Sequence, residues 1–591
     1  MKQFLKYFLA SLLATIVSLF LLVLLFFGMV ASIMTFSKKE VNTPAEKTVL
    51  VIRLDEPILE RSSNNPFSGF SFASMDNNST VGLNEILENI EKASNDTKIS
   101  GLLLELTSVS GGMAAVEQIR NAILKFKESG KFVFAYSEGM SQGAYYIASA
   151  ADQVFLQPEG GIELKGLNAQ IMFYKNLLEK VGVEMQIIRH GKFKSAIEPY
   201  ILDKMSEANR EQTTKFVGSI WQSVVEQIAS SRAITPDRVN QIADSMTAFD
   251  AKGALRSKLI DGLKYRDEIV DLLKQKVGVS SSDSLNMMEF SDYFTAPDPV
   301  KKKTIRSKKV AIIYAQGEIQ SGEGSDEIIG SDRIAEAIRI ARLDDKVKAI
   351  VLRVNSPGGS ALASDVIWRE VVLAKMAKPV IASMGDVAAS GGYYIACAAD
   401  TIMAMPTTIT GSIGVFGMIP NAKKLLNEKI GVSFDEVSTN ANSGYGTLVA
   451  PMTPYQLAIT QKSVEQVYDV FISHVAEGRG MTKAQVDSIG QGRVWSGTDA
   501  KQIGLVDLFG NLQDAVKLAA SMVKLDEYRV VEYPVQKDPF EEILSSFGKK
   551  KAMVDELANQ LPVLGDAVKA FNMMKDEDRI QARMPMDIRF Y

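Results

Sequence analysis

The stretch SGGYYIACAAD (390–400) is nearly repeated by QGAYYIASAAD (142–152) within a chain of 591 residues. The similarity continues toward the N-terminus at an offset that differs by one residue, since KPVIAS (378–383) matches KFVFAY (131–136) at 247 residues and the first pair matches at 248. A similarity that persists at a nearly constant offset indicates that one structural unit occurs twice. We therefore predict two copies of one domain, and every later assignment is made on that basis.

Each copy alternates short runs of β-branched residues with stretches of helical periodicity. VLVIRL (49–54) and AIVLRV (349–354) are typical of buried strands, and SDVIWREVVLAKMA (364–377) is typical of a helix. Strands separated by helices favour a parallel or mixed sheet. The predicted fold class is therefore α/β, as tandem repeats.

The regions outside the two copies have different compositions. Residues 280–307 are rich in Ser, Asp, Pro and Lys and are predicted to be a linker. After residue 540, charged and apolar residues alternate in a pattern typical of amphipathic helices. The predicted organisation is an N-terminal membrane anchor (1–46), a first repeat (47–279), a linker (280–307), a second repeat (308–534) and a C-terminal helical tail (535–591).

The N-terminal segment departs most from the average composition. Residues 8–36 contain no charged side chain, whereas Lys2 and Lys6 precede them. About 20 apolar residues in a helix span a bilayer, and the apolar part of a cleavable signal peptide has only about 7–15. We predict an uncleaved, single-pass transmembrane helix with its N-terminus inside, so that most of the protein lies outside the cytoplasm.

The composition argues against several classes of function. Lys and Arg total 66 against 70 Asp and Glu, a net charge of -4, which gives nucleic acid no broad basic face to bind. The chain has one cysteine, Cys397, and two histidines, His190 and His474. An intrachain disulfide, a zinc site with paired thiolates and a histidine-rich metal cluster are therefore excluded. We predict no metal and no cofactor.

The chemistry is expected where the two copies differ. Ser390 follows a predicted strand and precedes a Gly-Gly helix start, and the first copy has Gln142 at this position. Conversely, IIRHGKFKSAIEPY (187–200) in the first copy contains Lys192 and Lys194, whereas its counterpart in the second copy has no lysine. Each copy lacks the reactive side chain that the other has.

A serine becomes a good nucleophile only when a base takes its proton. With histidine nearly absent, a lysine that burial keeps neutral is the available base. Gly358 and Gly359 follow a strand and permit the close backbone approach that an oxyanion hole requires. Ser412, in TITGSIGVFG (408–417), is placed to hydrogen-bond the lysine. Together these residues favour a Ser-Lys dyad.

Other interpretations stay open at this point. Ser390 could be a simple helix cap, His190 could be the base of a Ser-His pair, and Lys192 competes with Lys194. For the whole chain, one alternative is an acyl-CoA enzyme of the crotonase type, which uses similar glycine loops. Another is a membrane scaffold without catalytic activity.

The chain resembles the signal peptide peptidase A family in its long two-copy form, also called protease IV. The resemblance covers the anchor and both copies. It rests on four motifs: NSPGG (355–359), ASGGYY (389–394), TGSIGV (410–415) and KSAIEP (194–199). It implies a crotonase-like or Clp-protease-like fold and a serine endopeptidase that degrades cleaved signal peptides and similar apolar peptides.

The resemblance also implies roles for individual residues. Ser390 would be the nucleophile, Lys194 the general base and Ser412 a supporting residue. Backbone groups of Gly358, Gly359 and Gly391 would form the oxyanion hole. Apart from the resemblance, Tyr393, Tyr394 and Phe416 are the candidate lining of an apolar substrate groove, and core packing is the favoured alternative role for these aromatic rings. The implied assembly is a homotetramer on the periplasmic side of a bacterial inner membrane.

Overall fold

The computed structural model describes residues 2–36, 41–62, 80–299, 308–536 and 580–584. The segment predicted to be a membrane anchor begins with a helix, α1 (Lys2–Phe36). Among the described residues, no helix is long and apolar enough to cross a membrane, so the structure does not confirm the predicted transmembrane helix. Most of the predicted C-terminal helical tail lies outside the described residues.

The first repeat combines short strands with helices of very different lengths. Its helices are α2 (Leu83–Asn95), α3 (Met113–Lys127), α4 (Gln142–Ala148), α5 (Lys175–Val181), α6 (Glu198–Ile201), α7 (Glu207–Arg232), α8 (Pro236–Ser245), α9 (Ala251–Arg256), α10 (Arg266–Val277) and α11 (Phe290–Tyr293). Its strands are β1 (Thr48–Ile52), β2 (Ile58–Leu59), β3 (Val81–Gly82), β4 (Ile99–Glu105), β5 (Phe132–Ser137), β6 (Gln153–Leu156), β7 (Glu184–Arg189), β8 (Gly262–Leu263) and β9 (Met287–Glu289).

The second repeat has the same alternation with longer central strands. Its helices are α12 (Ser331–Leu343), α13 (Ala361–Ala377), α14 (Gly391–Ala396), α15 (Pro454–Arg479), α16 (Lys483–Ile489), α17 (Gly497–Gln502) and α18 (Leu512–Met522). Its strands are β10 (Lys309–Gln316), β11 (Glu318–Gln320), β12 (Ile328–Gly330), β13 (Val347–Ser356), β14 (Gly358–Ser360), β15 (Val380–Ala389), β16 (Thr401–Ala404), β17 (Ile409–Gly411), β18 (Phe416–Asn421), β19 (Val494–Ser496), β20 (Leu508–Phe509) and β21 (Arg529–Tyr533). A last strand, β22 (Ile580–Arg583), follows near the C-terminus.

Each repeat contains a central sheet, and the strands of the two sheets follow the same order. The first sheet runs β8-β6-β5-β4-β1-β9, and the second contains β20-β16-β15-β13-β10-β21 in the corresponding places. These neighbours are all parallel. Parallel strands are usually covered on both faces, and every residue of β1 is accordingly buried. The prediction of an α/β fold made of two copies is confirmed.

The structure differs from the prediction in the linker and in the C-terminal tail. Residues 287–289, assigned to the linker, form β9 and pair with β1 at the edge of the first sheet. Because Ser and Asp alternate before this strand, so short an edge strand cannot be recognised in the sequence. In the predicted helical tail, the described residues 580–583 form a strand rather than a helix, because they pair with two strands of the second repeat.

A third sheet joins the two repeats. Its order is β12-β11-β14-β22-β18-β7, so that it takes one strand from the first repeat, four from the second and one from the C-terminal segment. β7 and β18 are antiparallel over six residue pairs, from Phe416 opposite Arg189 to Asn421 opposite Glu184. This pairing carries the residues that follow β7 onto the second repeat.

Buried charges also connect the repeats. Arg353 on β13 donates from Nε to a carboxylate oxygen of Glu60 at 2.7 Å, and both side chains are almost completely buried. Asp386 on β15 accepts a hydrogen bond of 2.9 Å from the backbone N–H of Ala115, in the first turn of α3. Burial and the nearby Glu60 carboxylate raise the pKa of Asp386 to about 6.

The raised pKa of Asp386 predicts a pH-dependent stability. In the folded protein this carboxyl keeps its proton up to about pH 6, whereas an unfolded chain releases it near pH 4. Its contribution to the free energy of unfolding therefore falls as the pH rises between these values, by about 3 kcal/mol. Replacing Asp386 by Asn removes this dependence and leaves the hydrogen-bond acceptor in place.

The measurement is the free energy of unfolding in denaturant at pH 4, 5, 6 and 7, for the unmodified protein and Asp386→Asn. The variant gains stability relative to the unmodified protein as the pH rises. Asp271→Asn, a substitution at an exposed position of α10, is the matched control and shows no such trend. If the curves for Asp386→Asn and the unmodified protein run parallel, the buried carboxyl is not the titrating group.

Candidate functional site

Ser390 occupies the sharp connection between β15 and α14. Its backbone has φ 55° and ψ -112°, in the half of the Ramachandran plot that side chains with a Cβ rarely adopt. The connection is held in place because the N–H of Ser390 donates to the carbonyl of Gly411 on β17 at 2.8 Å. Such strain persists only where the surroundings enforce it, and it is commonest at functional sites.

Lys194 lies beside Ser390, although the two residues belong to different repeats. The segment after β7 carries the lysine into the second repeat, where its side chain is completely buried. Its Nζ is 2.8 Å from Oγ of Ser390 and 3.1 Å from Oγ of Ser412. The sequence left open whether these side chains meet within one chain or between chains, and in this structure they meet within one chain.

The environment of Lys194 favours its neutral form. Burial lowers the pKa of this amine well below the ordinary value of 10.5, because a charged ammonium loses its hydration there. Its hydrogen-bond partners are the hydroxyls of Ser390 and Ser412 and the carbonyl of Ser412 at 3.3 Å. A neutral amine at hydrogen-bond distance from a serine hydroxyl can accept its proton.

Residues that sequence analysis missed hold the lysine in place. The N–H of Phe193 donates to the carbonyl of Gln491 at 2.9 Å, and the side-chain amide of Gln212 donates to the carbonyl of Phe193 at 3.0 Å. Gly492 has φ 82°, and a Cβ on it would lie 2.6 Å from Cα of Lys194. The only sequence signal for this contact is the closely spaced pair Gly490 and Gly492 after α16.

The predicted oxyanion glycines lie next to the serine. Gly358 has φ 98°, and a Cβ on it would lie 2.7 Å from the backbone nitrogen of Gly391. Gly391 is the first residue of α14, where backbone N–H groups have no partner within the helix. Gly358 and Gly359 form β14 together with Ser360. The structure therefore brings the predicted glycines, Ser390 and Lys194 to one place.

Two of the three predicted groove residues are not in a groove. Tyr393 and Tyr394 are fully buried in the core of the second repeat. The hydroxyl of Tyr393 donates to the carbonyl of Leu505, and that of Tyr394 donates to Asp365. Both point into the core because they lie on the inner face of α14. The groove assignment is wrong for these two, which take the alternative role of core packing. Phe416 lies on β18 in the third sheet and is also buried, at 2% exposed.

The alternative bases lie elsewhere. His190 stacks on Tyr468, with ring centroids 4.0 Å apart. Lys192 is exposed, and its Nζ lies 5.1 Å from the ring centroid of Phe193. Of the side chains considered as the base, Lys194 is the one in hydrogen-bond contact with Ser390.

The equivalent position in the first repeat has a structural role. Gln142 begins α4, as Ser390 precedes α14, but its amide is used locally. Its Oε1 accepts from the N–H groups of Lys165 and Gly166, and its Nε2 donates to the carbonyl of Gly166. The first repeat therefore uses this position to hold a loop.

Comparison with known proteins gives a consistent result. Peptidase family S49 matches residues 125–280 and 373–526, one stretch in each repeat, and the Clp protease family matches residues 302–410. The chain is 38% identical to Protease 4 of Salmonella typhi over 523 residues, covering 85% of this chain and 84% of that protein.

Two further relatives cover most of the chain. Protease 4 of Haemophilus influenzae is 39% identical over 73% of this chain and 72% of its own length. The chloroplastic serine protease SPPA of Arabidopsis thaliana is 34% identical over 81% of this chain and 72% of its own length. These relatives support neither the acyl-CoA enzyme nor the scaffold interpretation, and the chain belongs to peptidase family S49 as a serine peptidase with two repeats.

Proposed function

We propose that Ser390 and Lys194 are the catalytic dyad of this serine peptidase. The observation that carries the proposal is the distance of 2.8 Å between Nζ of Lys194 and Oγ of Ser390, with the lysine completely buried. A lysine in water is protonated at neutral pH and cannot act as a base. Burial removes that obstacle, since it lowers the pKa of the amine.

The reaction proceeds as acyl transfer in two steps. Oγ of Ser390 attacks the peptide carbonyl carbon while Nζ of Lys194 takes the hydroxyl proton, and the negative charge develops on the carbonyl oxygen. Backbone N–H groups of Gly359 and Gly391 stabilise that oxygen. The C–N bond then breaks, and the ammonium of Lys194 gives its proton to the leaving amine. Water, deprotonated by Lys194, releases the acyl group from Ser390 in the same way.

The substrates we propose are cleaved signal peptides and similar apolar peptides. An apolar cluster beside Ser390 supports this assignment. It contains Phe216 and Ile220 from the first repeat and Ala389, Ile409 and Val494 from the second. These side chains are buried in this structure, where Met584 completes the cluster. An apolar peptide side chain that took the place of Met584 would leave water in the same way and gain free energy.

We also propose a homotetramer attached to the periplasmic side of a bacterial inner membrane. The charge-free run over residues 8–36 supports attachment through the N-terminal segment. Exposed apolar side chains in one stretch of the second repeat support an assembly interface. They are Ile430, Val432, Phe434, Val437 and Leu448.

The dyad predicts the effect of four substitutions on peptide cleavage. Ser390→Ala and Lys194→Ala each lower kcat/KM by at least about 10³-fold, since each removes a group that acts in the transition state. Lys194→Arg is equally inactive because a guanidinium stays protonated. Lys192→Ala, two residues away and exposed, is the matched control and keeps its activity.

The assay measures cleavage of a synthetic apolar signal peptide by the detergent-solubilised protein, with circular dichroism to verify folding. Normal cleavage by Ser390→Ala would place the nucleophile elsewhere. Normal cleavage by Lys194→Ala would remove the lysine from the mechanism.

A neutral lysine base also predicts the pH profile. Lys194 must be deprotonated to accept the serine proton, so kcat/KM rises with pH as the amine loses its own proton. Because burial lowers the pKa of Lys194 well below 10.5, the rise ends in a plateau well below pH 10.5. The measurement uses a peptide without titratable groups from pH 5 to 10. A flat profile, or a rise that begins only near pH 10, contradicts the assignment.

Membrane attachment predicts a change of fraction on deletion of α1. The full chain sediments with membranes and is released by detergent, whereas a chain lacking residues 2–36 remains in the supernatant and still cleaves peptides. Cell fractionation followed by the cleavage assay measures both properties. Recovery of both forms in the same fraction would contradict attachment through this segment.

A further inference from the structure

A turn of the second repeat lies against the segment that carries the proposed base. It comprises residues 490–493, between α16 and β19. The carbonyl of Gln491 accepts the N–H of Phe193 at 2.9 Å, and the carbonyl of Arg493 accepts the N–H of Ser412 at 2.7 Å. This turn therefore fixes the backbone next to the amine and also the backbone of the hydroxyl that the amine contacts.

The turn has a conformation that its surroundings must enforce. Gln491 has φ 52° and Gly492 has φ 82°, and residues with a Cβ rarely adopt positive φ. Ser390 and Ser412 share this property, with φ 55° and 48°. A Cβ on Gly191 would lie 2.5 Å from the carbonyl oxygen of Gln491, so the two segments touch without spare room. Such a backbone persists only where neighbouring groups hold it.

Tyr468 on α15 supplies hydrogen bonds that hold the turn. This side chain is buried, at 3% exposed. Its hydroxyl accepts the N–H of Gln491 at 3.1 Å and donates to Oδ1 of Asp487 on α16 at 2.6 Å. Nε2 of Gln491 lies 3.4 Å from Oδ2 of the same carboxylate. Because an N–H that loses its acceptor inside a protein costs free energy, the hydroxyl stabilises this conformation of the turn.

The ring of Tyr468 contacts the segment of the base directly. It stacks on His190, with ring centroids 4.0 Å apart and 28° between the planes. His190 follows β7, and its N–H donates to the carbonyl of Val415 at 3.3 Å. One side chain thus holds the chain before Lys194 with its ring and the turn beside Lys194 with its hydroxyl.

A small displacement of Lys194 has two chemical consequences. A reacting group that is misplaced by about 1 Å can lose about 100-fold in rate. An amine that gains contact with water also recovers hydration, so its pKa returns toward the ordinary value of 10.5. A side chain that holds the turn therefore affects both the rate and the pH at which the amine loses its proton.

We propose that Tyr468 is a positioning residue of the peptidase, and that its hydroxyl holds residues 490–493 in the conformation that places Lys194 at Ser390 and keeps it out of contact with water. The proposal rests on the dyad proposed above. Tyr468 acts on the amine through Gln491 and the N–H of Phe193, so it is not itself a catalytic residue.

The first test is Tyr468→Phe, which removes the hydroxyl and keeps the ring on His190. We expect kcat for an apolar peptide to fall by about tenfold or more, with KM changed less than about twofold, because the base and not the peptide is displaced. The pH midpoint of kcat rises, since a base that is less well buried holds its proton to higher pH. Tyr455→Phe, the same change at an exposed position of α15, is the matched control and changes neither quantity.

The charged groups on the elements around this turn are the same in the variant and the unmodified protein. They include His190, Lys192 and Glu198 on the segment of Lys194, Glu211 on α7, Glu465 and Asp469 on α15, and Asp487 and Arg493 beside the turn. A shift of the pH midpoint in Tyr468→Phe therefore reports the burial of the amine and not a changed charge.

Asp487 gives a second way to loosen the same turn. Asp487→Ala removes the acceptor of the Tyr468 hydroxyl, so it lowers kcat and raises the pH midpoint as Tyr468→Phe does. Asp487→Asn keeps an acceptor and loses much less activity than Asp487→Ala. Because both groups act through one turn, the double variant Tyr468→Phe with Asp487→Ala is no worse than the poorer of the two single variants.

The outcomes separate this proposal from the dyad. If Tyr468→Phe is folded by circular dichroism and keeps the kcat and pH midpoint of the unmodified protein while Lys194→Ala is inactive, the positioning role is overturned and the dyad stands. A lower kcat with an unchanged pH midpoint indicates a structural role alone and also overturns the proposal. If Tyr468→Phe does not fold, Asp487→Ala is judged by the same criteria. Normal cleavage by Lys194→Ala removes the base and this proposal with it.

Discussion

The antiparallel pairing of β7 with β18 is the interaction on which the site depends. Six residue pairs join a strand of the first repeat to a strand of the second, and the chain that continues from β7 reaches Lys194 five residues later. Without this pairing, the amine and the hydroxyl of Ser390 would stay in separate domains. The same pairing buries the lysine, since its segment packs against Gly492 of the second repeat. One backbone contact thus sets both the position of this amine and the direction in which its pKa shifts.

The sheets of the two repeats have the same strand order, but the two repeats contribute different polar side chains. In the second repeat β15 is ten residues long, against six for β5 in the first. The extra residues extend β15 to Ser390 and provide Asp386, which caps α3 of the first repeat. In the first repeat, Gln142 at the corresponding position closes a loop. A duplicated fold can lose a reactive group from one copy provided that the other copy supplies it and the interface holds both together.

Burial has opposite consequences for the charged groups at this interface. Arg353 and Glu60 are buried as a hydrogen-bonded pair, and each compensates the lost hydration of the other. Lys194 is buried against hydroxyls and a carbonyl, which cannot compensate a full positive charge, and its pKa falls. Arg353 is a structural cation and Lys194 is the proposed base because their hydrogen-bond partners differ: a carboxylate for Arg353, and hydroxyls and a carbonyl for Lys194.

The sequence by itself determined the duplication, the α/β class and the complementary loss of Ser and Lys, because repeats and residue types are local properties of the chain. It also placed Gly358 and Gly391 near Ser390, since glycine is required where the backbone turns with positive φ or approaches closely. It was wrong about Tyr393 and Tyr394, because a tyrosine in a helix looks the same whether its ring faces a groove or the core. Only the tertiary structure decided that β22 lies between β14 and β18 and that Lys194 and Ser390 meet within one chain. Both depend on pairs of strands that are separated by hundreds of residues. Backbone hydrogen bonds form such pairs, and because almost every residue type can form them, the sequence does not reveal which strands pair.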